Sequence, residues 1–297
     1  MWLAGYGSQT PKLCGVLVES GDRRSFGAAR DGGELALVGH GVRPALLVGA
    51  SVGAINAAYY AGEPTTAGLD KLGAVWRSLR RRAVFPVTPY QGLMGLLARR
   101  DYLISSEPLR SLLRENLFYT RVEDARVACR LIATDLVDGG EVEISEGDLV
   151  QALLASCAIP GIFPPVRIGG RTLVDGGVAS NAPVAAALAA GADRVIVLPT
   201  GASCAVTQPP RGALNTAVQA LNLMIIRQLG REVDRFAAEA RVRVVPPLCP
   251  LDVSAYDFSR SGDLIDRAQR STEAWLDDGG LERSGIPASL ALHSHRA

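Results

Sequence analysis

The chain has 297 residues, of which 48% are hydrophobic and 21% are charged, and its formal net charge is +1. A chain of this length and apolar content can bury a sizeable core, which excludes a disordered or solvating protein. Its balanced charge gives no sign of a surface for polyanions, so we expect no nucleic acid partner.

Cysteine usage and the chain's first residues bear on the compartment and on metal sites. The cysteines are Cys14, Cys129, Cys157, Cys204 and Cys249. Their odd number and the absence of C-x-x-C spacing argue against a disulfide framework or a zinc site. The pattern is typical of a protein in a reducing compartment. The first fifteen residues lack a charged start followed by an apolar run, so we expect a cytoplasmic protein without a signal peptide.

Short β-branched runs alternate with alanine-rich stretches, a pattern typical of an α/β layered fold. In chain order the pattern predicts a strand over 45–48, a helix over 52–61, strands over 127–133 and 141–144, strands over 166–168 and 171–174, a helix over 183–190 and a strand over 195–198. After a loop at 207–212 it predicts a helix over 215–241, a strand over 242–245 and a helix over 263–276.

The sequence Gly49-Ala50-Ser51-Val52-Gly53 matches G-x-S-x-G and stands between an apolar strand and an alanine-rich helix. That context predicts a nucleophile elbow, a sharp strand-to-helix turn that strains the serine and presents its hydroxyl above the sheet. Glycines at both ends of the motif avoid collisions in so tight a turn, and the Val52 amide can donate to an oxyanion. A chance match in a chain with 32 glycines is the alternative, which the flanking strand and helix disfavour.

A serine hydroxyl needs a base, and the chain has three histidines, His40, His293 and His295. His40 precedes the elbow strand and should lie at the opposite end of it from Ser51. The other two stand in the final residues, a position that is usually poorly ordered. A carboxylate is therefore the better candidate base.

Asp175 begins a D-G-G triplet, Asp175-Gly176-Gly177, between an apolar strand and a helix with proline in its first turn. The same triplet also starts at Asp31, Asp138 and Asp278, so the triplet alone is equally consistent with a turn aspartate.

The elbow continuing into Ile55-Asn56-Ala57-Ala58, together with the segment 174–183, resembles the patatin-like phospholipases, and most of all the bacterial proteins similar to neuropathy target esterase. The segments 156–165 (SCAIPGIFPP) and 246–258 resemble those proteins too, so that the similarity runs from about residue 41 to residue 280. The resemblance implies a three-layer α/β sandwich with a mostly parallel central sheet and helices on both faces. We expect a catalytic core over 15–200, atypical over 1–35, and a helical extension over 201–297 packed on the same domain.

The resemblance also implies a Ser-Asp dyad in which Ser51 is the nucleophile and Asp175 its base, without histidine, metal or cofactor. A desolvated carboxylate has a raised pKa and can accept the serine proton directly. The substrate would be an acyl lipid, such as a phospholipid or lysophospholipid. An α/β-hydrolase triad of Ser51, Asp175 and one of the two C-terminal histidines remains an alternative.

The chain departs from this family upstream of the elbow, where patatin-like proteins carry an oxyanion loop of the form G-G-G-x-[KRL]-G. In ungapped register Gly21 and Gly27 remain, while Asp22, Arg23 and Arg24 occupy the positions of the three glycines. Three interpretations follow: a rearranged hole that uses an arginine, an impaired lipid-binding protein, or an altered N-terminal reading frame. The helix after this loop is also irregular, because residues 31–34 (DGGE) occupy the expected apolar face.

Arginines flank an apolar and aromatic stretch over residues 84–97. They are Arg77, Arg80, Arg81, Arg82, Arg99 and Arg100. A solvated helix followed by a packed loop is the first interpretation, and a peripheral contact with an anionic membrane is the second.

Overall fold

The computed structural model describes residues 13–17, 26–80, 102–180, 183–192, 194–199, 213–236, 241–250, 258–283 and 287–290. Its strands are β1 (Leu13–Leu17), β2 (Leu46–Ala50), β3 (Ala128–Asp135), β4 (Glu141–Ile144), β5 (Val166–Ile168), β6 (Arg171–Asp175), β7 (Arg194–Val197) and β8 (Arg241–Val244). Its α-helices are α1 (Phe26–Gly39), α2 (Val52–Gly62), α3 (Thr66–Ser78), α4 (Glu107–Asn116), α5 (Leu149–Ser156), α6 (Val184–Ala189), α7 (Ala213–Phe236) and α8 (Ser261–Asp277).

The eight strands form one open sheet with the pairing order β5-β6-β3-β2-β1-β7-β8, and β4 pairs with β3. The pairs β3-β2, β2-β1, β1-β7 and β7-β8 are parallel. The three short strands β4, β5 and β6 pair antiparallel. The sheet is therefore mostly parallel, as the family resemblance implies.

Helices cover both faces of the sheet, which confirms the layered α/β fold. Along β2, Leu47 packs into the larger apolar cluster with α2, α3, α4, α5 and α8, whereas Val48 packs into a second cluster with α6 and Phe236 of α7. This alternation follows from the strand geometry, in which successive side chains point to opposite faces. Strands buried on both faces explain why the predicted strands have continuous apolar runs.

The structure adds elements that the sequence pattern does not predict. Strand β1 pairs with both β2 and β7, and it lies in the stretch where the family resemblance is weakest. Helices α3, α4 and α5 were also not predicted. None of the described helices is long and apolar enough to cross a membrane. The loop at 207–212 and the arginines from Arg81 to Arg100 lie outside the described residues.

The irregular segment 31–34 belongs to α1, and its glycines have a packing role that the sequence analysis missed. A Cβ on Gly32 would lie 2.1 Å from the Ile265 carbonyl oxygen of α8. The glycine thus lets the backbones of α1 and α8 approach closely, where an apolar face of ordinary side chains was expected. Close backbone contact replaces side-chain interdigitation at this crossing.

We expect Gly32→Ala to lower the free energy of unfolding by about 1–3 kcal/mol, because the added methyl group overpacks the α1–α8 contact. Gly39→Ala is the matched control: it lies in the same helix and has no atom within 4 Å of its added Cβ. That change should be neutral or stabilise by about 0.5–1 kcal/mol. Urea unfolding of both variants provides the measurement, and equal stabilities would contradict the packing role of Gly32.

Candidate active site

Ser51 occupies the sharp turn between β2 and α2. Its backbone has φ 55° and ψ −127°, and among the described residues it is the only non-glycine residue with positive φ. A Cβ on Gly49 would lie 2.4 Å from the Gly53 carbonyl oxygen, so the two ends of the motif nearly touch. The strained serine and the closely approaching glycines are the geometry of a nucleophile elbow.

The register of β3 explains why Asp175 lies beside this turn. Ile132 of β3 pairs with Ala50, the last residue of β2, and the next residue, Ala133, pairs with Asp175, the last residue of β6. Because β4 occupies the other edge of β3 over these residues, β2 and β6 share one edge. The carboxyl-terminal ends of β2 and β6 thus meet along β3.

Because the ends of β2 and β6 meet, the side chains of Ser51 and Asp175 lie within hydrogen-bond distance. Ser51 Oγ donates a hydrogen bond of 2.6 Å to Asp175 Oδ2. The other carboxylate oxygen, Oδ1, accepts 2.9 Å from the Gly177 amide. Only 5% of Ser51 and 2% of Asp175 is exposed to solvent. The carboxylate is therefore oriented by two directional bonds in a site shielded from bulk water.

Two hydrogen bonds and one close contact fix the backbone of Asp175. The Asp175 amide donates to the Ala158 carbonyl oxygen at 2.9 Å, and the hydroxyl of Thr134 donates to the Asp175 carbonyl oxygen at 2.8 Å. A Cβ on Gly176 would lie 2.2 Å from the Ile132 carbonyl oxygen, so only glycine fits between Asp175 and β3. In this D-G-G triplet the first glycine allows the close approach to β3, and the amide of the second donates a hydrogen bond to the Asp175 carboxylate.

Ser156, the last residue of α5, holds the backbone amide of Ser51. Its hydroxyl accepts a hydrogen bond of 2.9 Å from the Ser51 amide and donates one of 2.5 Å to the Ile132 carbonyl oxygen. The residue is fully buried. A residue at a strand-to-helix turn has lost its strand partner and gains no intrahelical one, so this hydroxyl satisfies an amide that would otherwise be orphaned.

The structure places the other predicted site residues as follows. Val52, Gly49 and Gly53 lie in the elbow, and Gly176 and Gly177 surround the carboxylate. Gly27 lies in the first turn of α1, whereas Gly21, Arg23, Arg24, His293 and His295 lie outside the described residues. The last described residue before that segment, Leu17 at the end of β1, is paired with Gly49 of the elbow.

His40 lies before β2 begins, at the far end of that strand from Ser51, as expected. Its ring Nδ1 is 3.0 Å from the Ala36 carbonyl oxygen, and this hydrogen bond raises the pKa of the imidazole. Cys129 is fully enclosed in the core, and burial raises the pKa of its thiol to about 12. Neither residue contributes a base or nucleophile to the Ser51 site.

An apolar cavity lies next to the elbow, between α2, α3 and α4. It is lined by Val52, Ile55, Tyr59, Leu72, Val75, Trp76, Leu79, Leu109, Leu112, Leu113, Asn116 and Leu117. Its wall begins at Val52, the residue directly after Ser51, and continues along one face of α2 between α3 and α4. Over the described parts of the chain, no group of three or more His, Cys, Asp or Glu residues could hold a metal ion.

Sequence reasoning missed Ser156 and Thr134 as supporting residues, although Ser156 begins the quoted segment SCAIPGIFPP. Each is a hydroxyl residue that ends a short apolar run, ALLAS and LIAT. A buried hydroxyl is tolerated only when it is hydrogen-bonded, so its presence in such a run indicates a specific partner. The sequence does not identify that partner.

Comparison with known proteins places the chain in a family. The family model of the patatin-like phospholipases matches residues 25–188, which include Ser51 and Asp175. Uncharacterized NTE family proteins of Mycobacterium tuberculosis and Mycobacterium bovis are 29% identical over 221 residues, which is 74% of this chain and 57% of theirs. The chain thus spans little more than half the length of these curated relatives.

Two solved structures are also similar to the chain. VipD of Legionella pneumophila aligns over 91% of this chain and 67% of its own, with a TM-score of 0.47 and 14% identity. ExoU of Pseudomonas aeruginosa, in complex with SpcU, aligns over 93% of this chain and 54% of its own, with a TM-score of 0.43 and 18% identity.

We expect Ser156→Ala to lower the free energy of unfolding by about 1–3 kcal/mol, since the Ser51 amide and the Ile132 carbonyl lose a buried partner. Ser78→Ala is the control, because its exposed hydroxyl bonds only the Val75 carbonyl of its own helix. That change should stay within about 0.5 kcal/mol of wild type. Chemical denaturation checks both values, and a Ser156→Ala protein as stable as Ser78→Ala would refute the role.

Proposed function

Because the chain belongs to the patatin-like phospholipase family, we propose that it hydrolyses carboxylic esters of acyl lipids with a Ser51–Asp175 dyad. The family assignment supports a lipid hydrolase. The observation that carries the finer proposal is the 2.6 Å hydrogen bond from Ser51 Oγ to Asp175 Oδ2 at a strained elbow. The proposed substrates are phospholipids or lysophospholipids, and the proposed reaction uses no metal or cofactor. We further propose that the protein is cytoplasmic and meets its substrate at a membrane surface.

The proposed reaction has two halves. In the first, Asp175 Oδ2 takes the proton of the Ser51 hydroxyl while Oγ attacks the ester carbonyl carbon, and the tetrahedral intermediate collapses as the leaving alcohol receives that proton. In the second, Asp175 takes a proton from water, and the resulting hydroxide attacks the acyl-serine. The ester bond to Oγ breaks, the proton returns to Ser51, and a fatty acid leaves.

The oxyanion formed in each half needs positioned donors. Val52 begins α2, and amides in the first turn of a helix have no intrahelical partner, so its N–H supports the role of one donor. We propose that the segment from Gly21 to Gly27, including Arg23 and Arg24, supplies the rest. Loss of one such donor costs about 10²–10³ in rate, so a turnover lower than that of relatives with an intact glycine triplet is expected.

The apolar cavity beside the elbow supports an acyl substrate. Eleven of its twelve lining residues are hydrophobic, and the exception is Asn116. A wall that starts at the residue after the nucleophile suits an acyl chain attached to the carbonyl under attack. Burying each methylene there contributes about 0.8 kcal/mol, so chain length would be selected through binding.

We expect Ser51→Ala and Asp175→Asn each to lower hydrolysis of a water-soluble ester by at least about 10²-fold, through loss of nucleophile and base. Asp138→Asn is the matched control, because Asp138-Gly139-Gly140 repeats the triplet in an exposed hairpin where Asp138 Oδ1 accepts 2.7 Å from the Gly140 amide. Equal activity in all four proteins would refute the dyad.

A fluorophosphonate probe provides an independent measurement on the same proteins. Folded wild type and Asp138→Asn should label at Ser51, and Ser51→Ala should not label. Folded wild type that fails to label would refute the hydrolase and favour the alternative of an impaired, lipid-binding protein.

Deletion from Leu292 onward removes His293 and His295 and separates the dyad from a triad. We expect full retention of ester hydrolysis, because the proposed base is Asp175. Activity reduced to the level of Ser51→Ala, in a protein with unchanged unfolding, would favour the triad.

Filling the cavity should change chain-length preference. Leu112→Trp places a larger ring at a half-buried wall position, so we expect long-chain esters to lose at least about tenfold in kcat/KM relative to short-chain esters. The ratio of the two substrates within each protein is the readout. An unchanged ratio would exclude the cavity as the acyl site.

A further inference from the structure

We propose that the protein carries a lipid-docking surface at the carboxyl-terminal edge of its sheet. This apolar rim consists of Leu136, Val137, Val178, Leu223 and Met224. They are five of the six large hydrophobic side chains exposed in the part of the chain that the structure describes, and Val137 and Met224 are 88% and 68% exposed. Single exposed apolar residues are ordinary, whereas their concentration at one edge marks a surface for interaction.

The strand directions place three rim residues on the same edge as the candidate site. β2 and β3 are parallel, so Ser51 after β2 and Leu136 after β3 leave the sheet at the same edge. Val137 follows at the tip of the β3–β4 hairpin. Val178 lies in the turn after Asp175, and the next amide in that turn donates to the Thr134 hydroxyl of β3 at 3.1 Å.

Helix α7 brings the other two rim residues to this edge. It connects the parallel strands β7 and β8, so it runs antiparallel to them and its N-terminal half points toward the carboxyl edge. Gln228 donates to the Ala179 carbonyl oxygen, and Glu232 accepts from Ser180 Oγ at 3.4 and 3.5 Å. Leu223 and Met224 precede Gln228 by about one helical turn and therefore lie further toward the edge.

The composition of the rim and its surroundings favours a lipid surface as the occupant. Arg227 and Arg231 are exposed on α7, one and two turns after the apolar pair. Apolar side chains bordered by arginine match the boundary between acyl chains and anionic headgroups. Asp138 at the hairpin tip is exposed as well, and its Oδ1 accepts a hydrogen bond of 2.7 Å from the Gly140 amide. A side chain as exposed as Val137 can insert between headgroups without rearrangement of the fold.

The docking surface deepens the proposed function, since it rests on an ester substrate that resides in a membrane or micelle. Contact through the rim would hold the elbow edge against the lipid surface and shorten the path of an acyl chain to Ser51.

The test separates docking from hydrolysis by using lipids that cannot be hydrolysed. Sedimentation is measured with vesicles of ether-linked phosphatidylcholine, with and without ether-linked phosphatidylglycerol. The proteins are wild type, Leu136→Gln/Val137→Gln, Leu223→Gln/Met224→Gln, and the control Phe118→Ser, which removes the sixth exposed side chain, away from the rim. Hydrolysis of a short-chain, water-soluble ester is measured on each.

We expect wild type and Phe118→Ser to bind the anionic vesicles, and each double variant to bind at least about tenfold more weakly, because two apolar side chains no longer enter the bilayer. Short-chain ester hydrolysis should be unchanged in all four. Equal vesicle binding by wild type and both double variants would overturn the proposal, as would a wild type that fails to bind or a rim that instead drives dimerisation in sedimentation velocity. Vesicle binding by a wild type that cleaves no ester would support the rim and refute the proposed function.

Discussion

The meeting of β2 and β6 along one edge of β3 is the constraint on which the site depends. Both strands end where they abut, so the residue after one and the last residue of the other are brought together by backbone pairing alone. Neither side chain has to be steered by a long loop. The register of β3 sets the distance between hydroxyl and carboxylate, and a slip of one residue would move either strand end by about 3.3 Å.

Hydroxyl and amide groups stabilise this junction. Ser156 bonds the Ser51 amide, Thr134 bonds the Asp175 carbonyl, and Gly177 bonds the carboxylate. These contacts tie α5, β3 and β6 to the elbow. Such a network of hydrogen bonds orients the buried carboxylate. The exposed apolar rim belongs to the same edge, so the site and the surface proposed to present it to lipid share one framework.

The sequence predicts the strands and the motifs of Ser51 and Asp175 better than it predicts the residues that support them. Periodicity and turn residues identify the strands β2, β3, β7 and β8 and the elbow, because each is encoded within a few neighbouring residues. Asp175 was separated from the other D-G-G aspartates by its strand context and by family resemblance, and its carboxylate is buried whereas Asp138 lies in an exposed hairpin. Ser156 and Gly32 could not be assigned roles, because their partners, Ser51 and Ile265, are distant in sequence and are chosen by packing. The strand β1 is five residues long and has no alternation to distinguish it.

The position of β1 in the sheet has a consequence for biosynthesis. One edge of β1 pairs with β2, which follows soon after in the chain. The other edge pairs with β7, and this pairing runs from Leu13 with Arg194 to Val16 with Val197. At translation rates of about 5–20 residues per second, that second edge has no native partner for roughly ten to forty seconds after β1 is made. An unpaired strand edge is a template for association with other chains. The nascent chain therefore passes through a period in which the future centre of the sheet is a site for chaperone binding or aggregation.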